Sequence, residues 1–116
     1  MRKENLELWS WIFQRITAVF LVIGLFVHFW VLHYIDSASK PVTFELVTKR
    51  LSSPGWIIFD SLLLIAALYH GLNGIWSIIL DWNPRKSFKC SLGWILSVIG
   101  VLALIIGIYT IIPFAK

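Results

Sequence analysis

The sequence predicts an all-α membrane protein with three transmembrane helices, and three observations predict it. Residues 11–34, 56–80 and 92–114 are strongly apolar. Each run is long enough to cross a hydrocarbon core of roughly 30 Å at about 1.5 Å per helical residue. Of the 116 residues, 59% are hydrophobic and only 14% charged, far from the balance of a soluble domain. Tryptophans and tyrosines, among them Trp9, Trp11, Trp30, Tyr34, Trp56, Trp82, Trp94 and Tyr109, cluster near the ends of the runs, as interfacial anchors do. Three spans leave little else, so residues 1–116 read as a single membrane domain.

Taken in order, MRKENLELWS precedes the first span without a signal-peptide cleavage site, and Glu4 and Glu7 make it a poor mitochondrial presequence. Between the first two spans, TFELVTKRL can form a short interfacial helix, and Ser53-Pro54-Gly55 breaks the chain before the second span. Asn83-Pro84 ends the second span, and a tight basic connection leads to the third. The lone Cys90 excludes an internal disulfide, and the lack of a C-x-x-C-H pattern argues against covalent haem attachment. The net charge of +4 comes from membrane-flanking cations and reads as topology, not nucleic-acid binding. With the N-terminus inside, Arg2, Lys3, Arg15, Arg85, Lys86 and Lys89 lie on the inner side against Lys40, Lys49, Arg50 and Lys116 outside. The positive-inside rule then favours a cytoplasmic N-terminus, as in a prokaryotic inner membrane.

The chemistry is concentrated in two intramembrane histidines. An imidazole in hydrocarbon needs a polar partner, a wet cavity or a metal. On the second span His70, Gly74, Ser77 and Asp81 form one stripe at about 100° per residue. Gly71 and Gly74 leave space beside the imidazole for a flat ligand. An interhelical hydrogen bond, a proton relay and haem ligation all suit such a histidine; a lone imidazole flanked by glycine favours haem. On the first span Thr17, Leu21, Gly24 and His28 form a similar stripe. His28 lies nearer a membrane face, where haem ligation and a simple rim hydrogen bond both fit. His33 reads as an interfacial histidine that could alternatively meet a haem propionate.

Counted from the span ends, His28 lies about 25 Å in and His70 about 16 Å. A mismatch of roughly 9 Å argues against one shared haem, so each ligand needs an opposite number on another polypeptide. At the inner edge Ser10, Gln14, Arg15, Asp81 and Trp82 reach the same face. They are either a topological anchor, with Arg15 snorkelling or paired to Asp81, or the donors and aromatic wall of a quinone site. On the third span Gly93, Ser97, Gly100 and Gly107 line one side, a close-packing face for a neighbouring helix. Asp60 reads as interfacial.

WSWIFQRITAVFL at the first span, LYHGLNGIWSIILDW in the second and the three-helix layout resemble the small membrane-anchor subunits of succinate dehydrogenase and fumarate reductase. The resemblance covers the chain from about Trp9 to Tyr109. It implies that His70 is an axial ligand of haem b, that Asp81 and Trp82 lie at the quinone site, and that Arg15 is near quinone and haem propionates. It further implies His28 as a ligand of a second haem, giving two per complex, shared with a second anchor subunit. The implied function is to hold the flavoprotein and iron–sulfur subunits on the bilayer and pass electrons to quinone, with no succinate-oxidising site on this chain. Trp82 stands where tyrosine is common, and Gln14 where related anchors often carry histidine. The competing reading is a non-redox helical protein, such as a transporter half or an assembly factor, with structural histidines.

Overall fold

A computed structural model describes residues 2–35 and 41–112 of the chain. Helix α1 covers Arg2–Trp30 and continues through one wider, π-type turn over Val31–Ile35. It therefore starts well before residue 11. The predicted span marked where lipid contact begins, whereas backbone hydrogen bonding continues outward through the polar segment, with Glu4 in the first turn. The whole element is 34 residues long, and about nine of them at the N-terminal end exceed the apolar run.

Helix α2, Phe44–Leu51, is the short helix expected from TFELVTKRL. Thr43 caps it, its side-chain oxygen accepting from the Leu46 N–H at 3.3 Å. Helix α3, Pro54–Trp82, starts with proline in its first turn after an extended Ser53. It ends at Asn83, whose φ of 50° and ψ of 52° are left-handed, a conformation asparagine tolerates. Pro84 then bars further helix. Helix α4, Lys86–Ile111, begins six residues earlier than the apolar run did, so only 83–85 connect α3 to α4. The expected end of the third span, residues 113 and 114, lies outside the described residues.

Helix α3 is the middle of the assembly. Its residues Leu63, His70 and Gly74 meet α1, and Leu64, Leu72 and Trp76 meet α4. At about 100° per residue these two sets lie on nearly opposite sides of α3. The three long helices thus form a row with two broad faces. All three are long and apolar enough to span a membrane. Among the described residues the only buried apolar side chains are Leu51, Leu63 and Ala66, as expected where lipid replaces a water-excluding core.

Glycines set both seams. A Cβ on Gly24 would sit 2.8 Å from Leu63 Cδ1, and one on Gly100 2.6 Å from Leu72 Cδ1. Gly107 lies against Leu64 in the same way, and Gly93 against the Trp76 ring. The glycine face of α4 is therefore used inside this chain, against α3, and does not await another polypeptide. Ser97 departs from that face: it is exposed and bonds the Gly93 carbonyl at 2.8 Å.

Candidate functional site

Two polar clusters bridge α1 and α3 at different depths. The one toward the N-terminal end of α1, inner in the orientation that the charge balance predicts, is built from Ser10, Gln14 and Thr17, which recur on the α3-facing side of α1 at spacings of four and three. Gln14 Nε2 donates to the His70 carbonyl at 3.2 Å, while its Oε1 accepts from Asn73 Nδ2 at 2.8 Å. Ser10 Oγ donates to Asn73 Oδ1 at 2.8 Å. Gly74 makes room for this: a Cβ there would already lie 3.4 Å from Gln14 Nε2.

His70 completes the cluster. Its Nδ1 lies 3.3 Å from Thr17 Oγ1. The Thr17 hydroxyl donates its one proton to the Phe13 carbonyl at 2.7 Å, so toward His70 it acts as acceptor. The tautomer that matches this acceptor has its proton on Nδ1 and a bare lone pair on Nε2, the form in which imidazole binds a metal. Beside it, a Cβ on Gly71 would meet nothing within 4 Å. The contacts of Thr17 with His70 and of Gln14 with Gly74 bring Arg15 level with residues 72 and 73, about 2 Å along the axis from Gly71, and helical periodicity puts Arg15 and Gly71 on the same broad face. A flat macrocycle with an iron to ligate and acidic side groups fits this donor set.

The outer cluster is charged and closed. Asp60 receives two bonds from Arg50 Nη2, at 3.1 and 2.9 Å, and lies 3.7 Å from His28 Nε2. The Arg50 and Asp60 side chains are 6% and 14% exposed, and the guanidinium stacks 4.7 Å from the Trp56 ring centroid. Arg50 Nη1 is buried without a hydrogen-bond partner. Asp60 is therefore no loose interfacial acid. The signal in the sequence was an Arg–Asp pair ten residues apart, straddling the Ser-Pro-Gly break.

The remaining candidates divide. Ser10 and Gln14 belong to the inner cluster, whereas Arg15, Asp81 and Trp82 are exposed. Arg15 lies over Trp11, 5.2 Å from its centroid, and makes no ion pair with Asp81. The helix register explains this: Asp81 falls level with residues 6 and 7 of α1, roughly 13 Å from the level of Arg15. The anticipated Arg15–Asp81 pair is thus absent, and the five inner-edge residues are not one constellation. Asn73, which sequence reasoning passed over, ties Ser10 to Gln14. Its signal was the i, i+4 spacing of Ser10 and Gln14, which calls for a polar partner across the seam.

His28 and His70 do not share a depth. Thr17, in contact with His70, is eleven residues from His28 on the same helix, about 16 Å along the axis. This exceeds the separation counted from the span ends. His33 is exposed at the end of α1, its Nδ1 3.0 Å from the Phe29 carbonyl and its ring stacked on Phe29 at 4.2 Å. Among the described residues no three His, Cys, Asp or Glu side chains converge on one point.

The family described as the succinate dehydrogenase/fumarate reductase transmembrane subunit matches residues 1–106. A succinate dehydrogenase hydrophobic membrane anchor subunit of Thermoplasma acidophilum is 34% identical over 94 residues, covering 81% of this chain and 76% of the relative. The protein of the same name from Archaeoglobus fulgidus is 28% identical over 92% of this chain and 90% of its own length. The succinate dehydrogenase cytochrome b558 subunit of Bacillus subtilis is 27% identical over 65% of this chain and 37% of its own length. With three membrane-spanning helices and these relatives, the chain is an integral membrane protein that belongs to the succinate dehydrogenase/fumarate reductase transmembrane-subunit family.

Proposed function

We propose that residues 1–116 form one membrane-anchor domain that holds haem b through His70 and contributes to the quinone site of a succinate:quinone oxidoreductase. The observation that carries this reading is the set of contacts around His70. Thr17 Oγ1 lies 3.3 Å from Nδ1 with its own proton directed at the Phe13 carbonyl, an arrangement that supports a proton on Nδ1 and a bare Nε2, and the next residue, Gly71, has open space at its Cβ position. When bound, haem b supplies a one-electron relay across the dry bundle. The cytochrome b558 relative gives the cofactor class independent support.

What this chain's residues do follows from their places. Thr17 fixes the His70 tautomer, and Gln14 holds the backbone carbonyl behind it. Arg15, about 2 Å along the axis from Gly71, is positioned to meet a propionate or a quinone carbonyl. Ser10, Gln14, Asp81 and Trp82 offer hydrogen-bonding groups or an aromatic wall near the same membrane side. Another polypeptide, a second anchor subunit, would supply any further residue that holds the haem. The flavoprotein and iron–sulfur subunits dock on the inner side with the N-terminus cytoplasmic, and the chain itself is non-catalytic.

His28, at its separate depth, is the ligand proposed for a second haem, giving two per complex. Ligation through Nε2 requires the ring to leave Asp60. The 3.7 Å contact with Asp60 is the observation behind the alternative, a structural histidine in a one-haem complex. His70→Ala tests the main reading: the assembled complex should lose one haem's reduced-minus-oxidised absorbance. An unchanged spectrum at full haem content would overturn it, and would return His70 to a packing role in a non-redox anchor.

A further inference from the structure

The broad face opposite Gly71 carries a groove that neither haem nor quinone accounts for. It lies between the C-terminal half of α3 and the N-terminal half of α4, with a volume of about 770 Å³. Its walls are Leu72, Trp76, Trp94 and Leu96, and the close approach of Gly93 to the Trp76 ring brings the two helices together beneath it. Lys86 and Lys89 stand at one end. No residue lining the groove is acidic, and neither is any in the first turn of α4. Lys89 Nζ gives one proton to Asn83 Oδ1 at 3.0 Å and keeps two.

The length of the groove identifies its occupant. From Lys86 to Ser97 is eleven residues, about 16 Å at the helical rise. Lys86 and Lys89 precede the apolar run that begins at residue 92, whereas on α3 the groove reaches Tyr69, eleven residues or about 16 Å inside the end of the second apolar run at residue 80. The groove therefore runs from the interface to about mid-membrane, cationic at the interface and apolar beyond it. Tryptophans favour the boundary between these two regions. A free phosphate would leave the apolar length unfilled, and a neutral lipid would leave the lysines unmatched.

We propose that this groove binds one anionic phospholipid, its phosphate at Lys86 and Lys89 and an acyl chain along Leu72 and Leu96. Basic recesses between transmembrane helices hold anionic headgroups in this way, and each cation near the surface is worth about a factor of five in affinity.

The test uses the assembled complex, reconstituted in vesicles of phosphatidylcholine and phosphatidylglycerol, then extracted, with the lipids it retains counted by native mass spectrometry. Phosphatidylglycerol should be retained in preference to phosphatidylcholine. The double variant Lys86→Gln/Lys89→Gln should weaken that retention about 25-fold, two charges at about fivefold each, with the haem spectrum unchanged. Lys86→Gln alone, at an exposed position, should weaken it about fivefold and serves if the double variant fails to assemble. Equal retention of both lipids, or unchanged phosphatidylglycerol retention in the variants, would overturn the proposal. So would protection of the Cys90 thiol, which lines the groove, by another subunit in lipid-free complex, because a protein segment would then be the occupant.

Discussion

The two histidine clusters use the same side chain in opposite ways. Around His70 every partner is neutral, the hydrogen bonds run through Thr17, Gln14, Asn73 and Ser10, and a glycine opens the adjoining face. Around His28 the partners are charged, the Arg50–Asp60 pair is nearly buried, and Nε2 faces a carboxylate. Neutral partners orient an imidazole without occupying its lone pair. A charged pair ties α2 to α3 and sets a carboxylate against the histidine, which the ring must leave before it can bind anything else. What makes a histidine available is thus the group on its other nitrogen, and that group lies on a different helix.

The comparison breaks most visibly at Asp60. Asp60→Ala should leave the Arg50 guanidinium buried and uncompensated, at a cost of about 3–5 kcal/mol, seen as a large drop in thermal stability or failed assembly. Arg50→Gln combined with Asp60→Asn removes both charges together and should recover much of that loss. No comparable cost is expected in the inner cluster, where no charge is buried. Equal sensitivity of the two clusters would show that the outer pair is solvated.

Glycine substitutions sharpen the contrast between open and closed faces. Gly100→Ala puts a Cβ 2.6 Å from Leu72 Cδ1 and should destabilise the α3–α4 seam by about 1–3 kcal/mol, checked by thermal unfolding of the complex. A Cβ at Gly71 meets nothing within 4 Å in this chain, so the fold should tolerate Gly71→Ala, and the longer side chain of Gly71→Leu should lower haem content. Haem content unchanged in Gly71→Leu would show that this face is not where haem lies.

The smallest effect is expected at Thr17. Thr17→Val keeps the shape but removes the acceptor for His70 Nδ1, a bond worth about 1 kcal/mol, so haem retention should weaken about fivefold. Titration of haem from the purified complex measures this. A variant that binds haem as tightly as the parent would show that Thr17 does not set the tautomer.

Much of this architecture was legible in the sequence, because hydropathy and turn residues act locally. The three spans, the Thr43-capped helix and the breaks at Pro54 and Asn83 all follow from residues within a few positions of one another. Helix ends were less legible: α1 and α4 extend into polar segments that hydropathy cannot distinguish from loop. The glycine stripe on α4 announced close packing but could not name its partner, which is α3. Arg15 and Asp81 looked paired because both are inner-edge ions, yet helix register separates them. Asn73 and the Arg50–Asp60–His28 contacts were hidden for the same reason. Each joins residues on different helices, and the relative register of two helices is written in neither alone.

Two histidines at two depths, with different availability, are the centre of this account, and haem stoichiometry reads them most directly. The assembled complex should contain two haems per copy of this chain, one after His28→Ala and one after His70→Ala, with different bands lost from the reduced-minus-oxidised spectrum. One haem in the parent complex, or two retained in His28→Ala, would contradict the account and leave His28 a structural partner of Asp60.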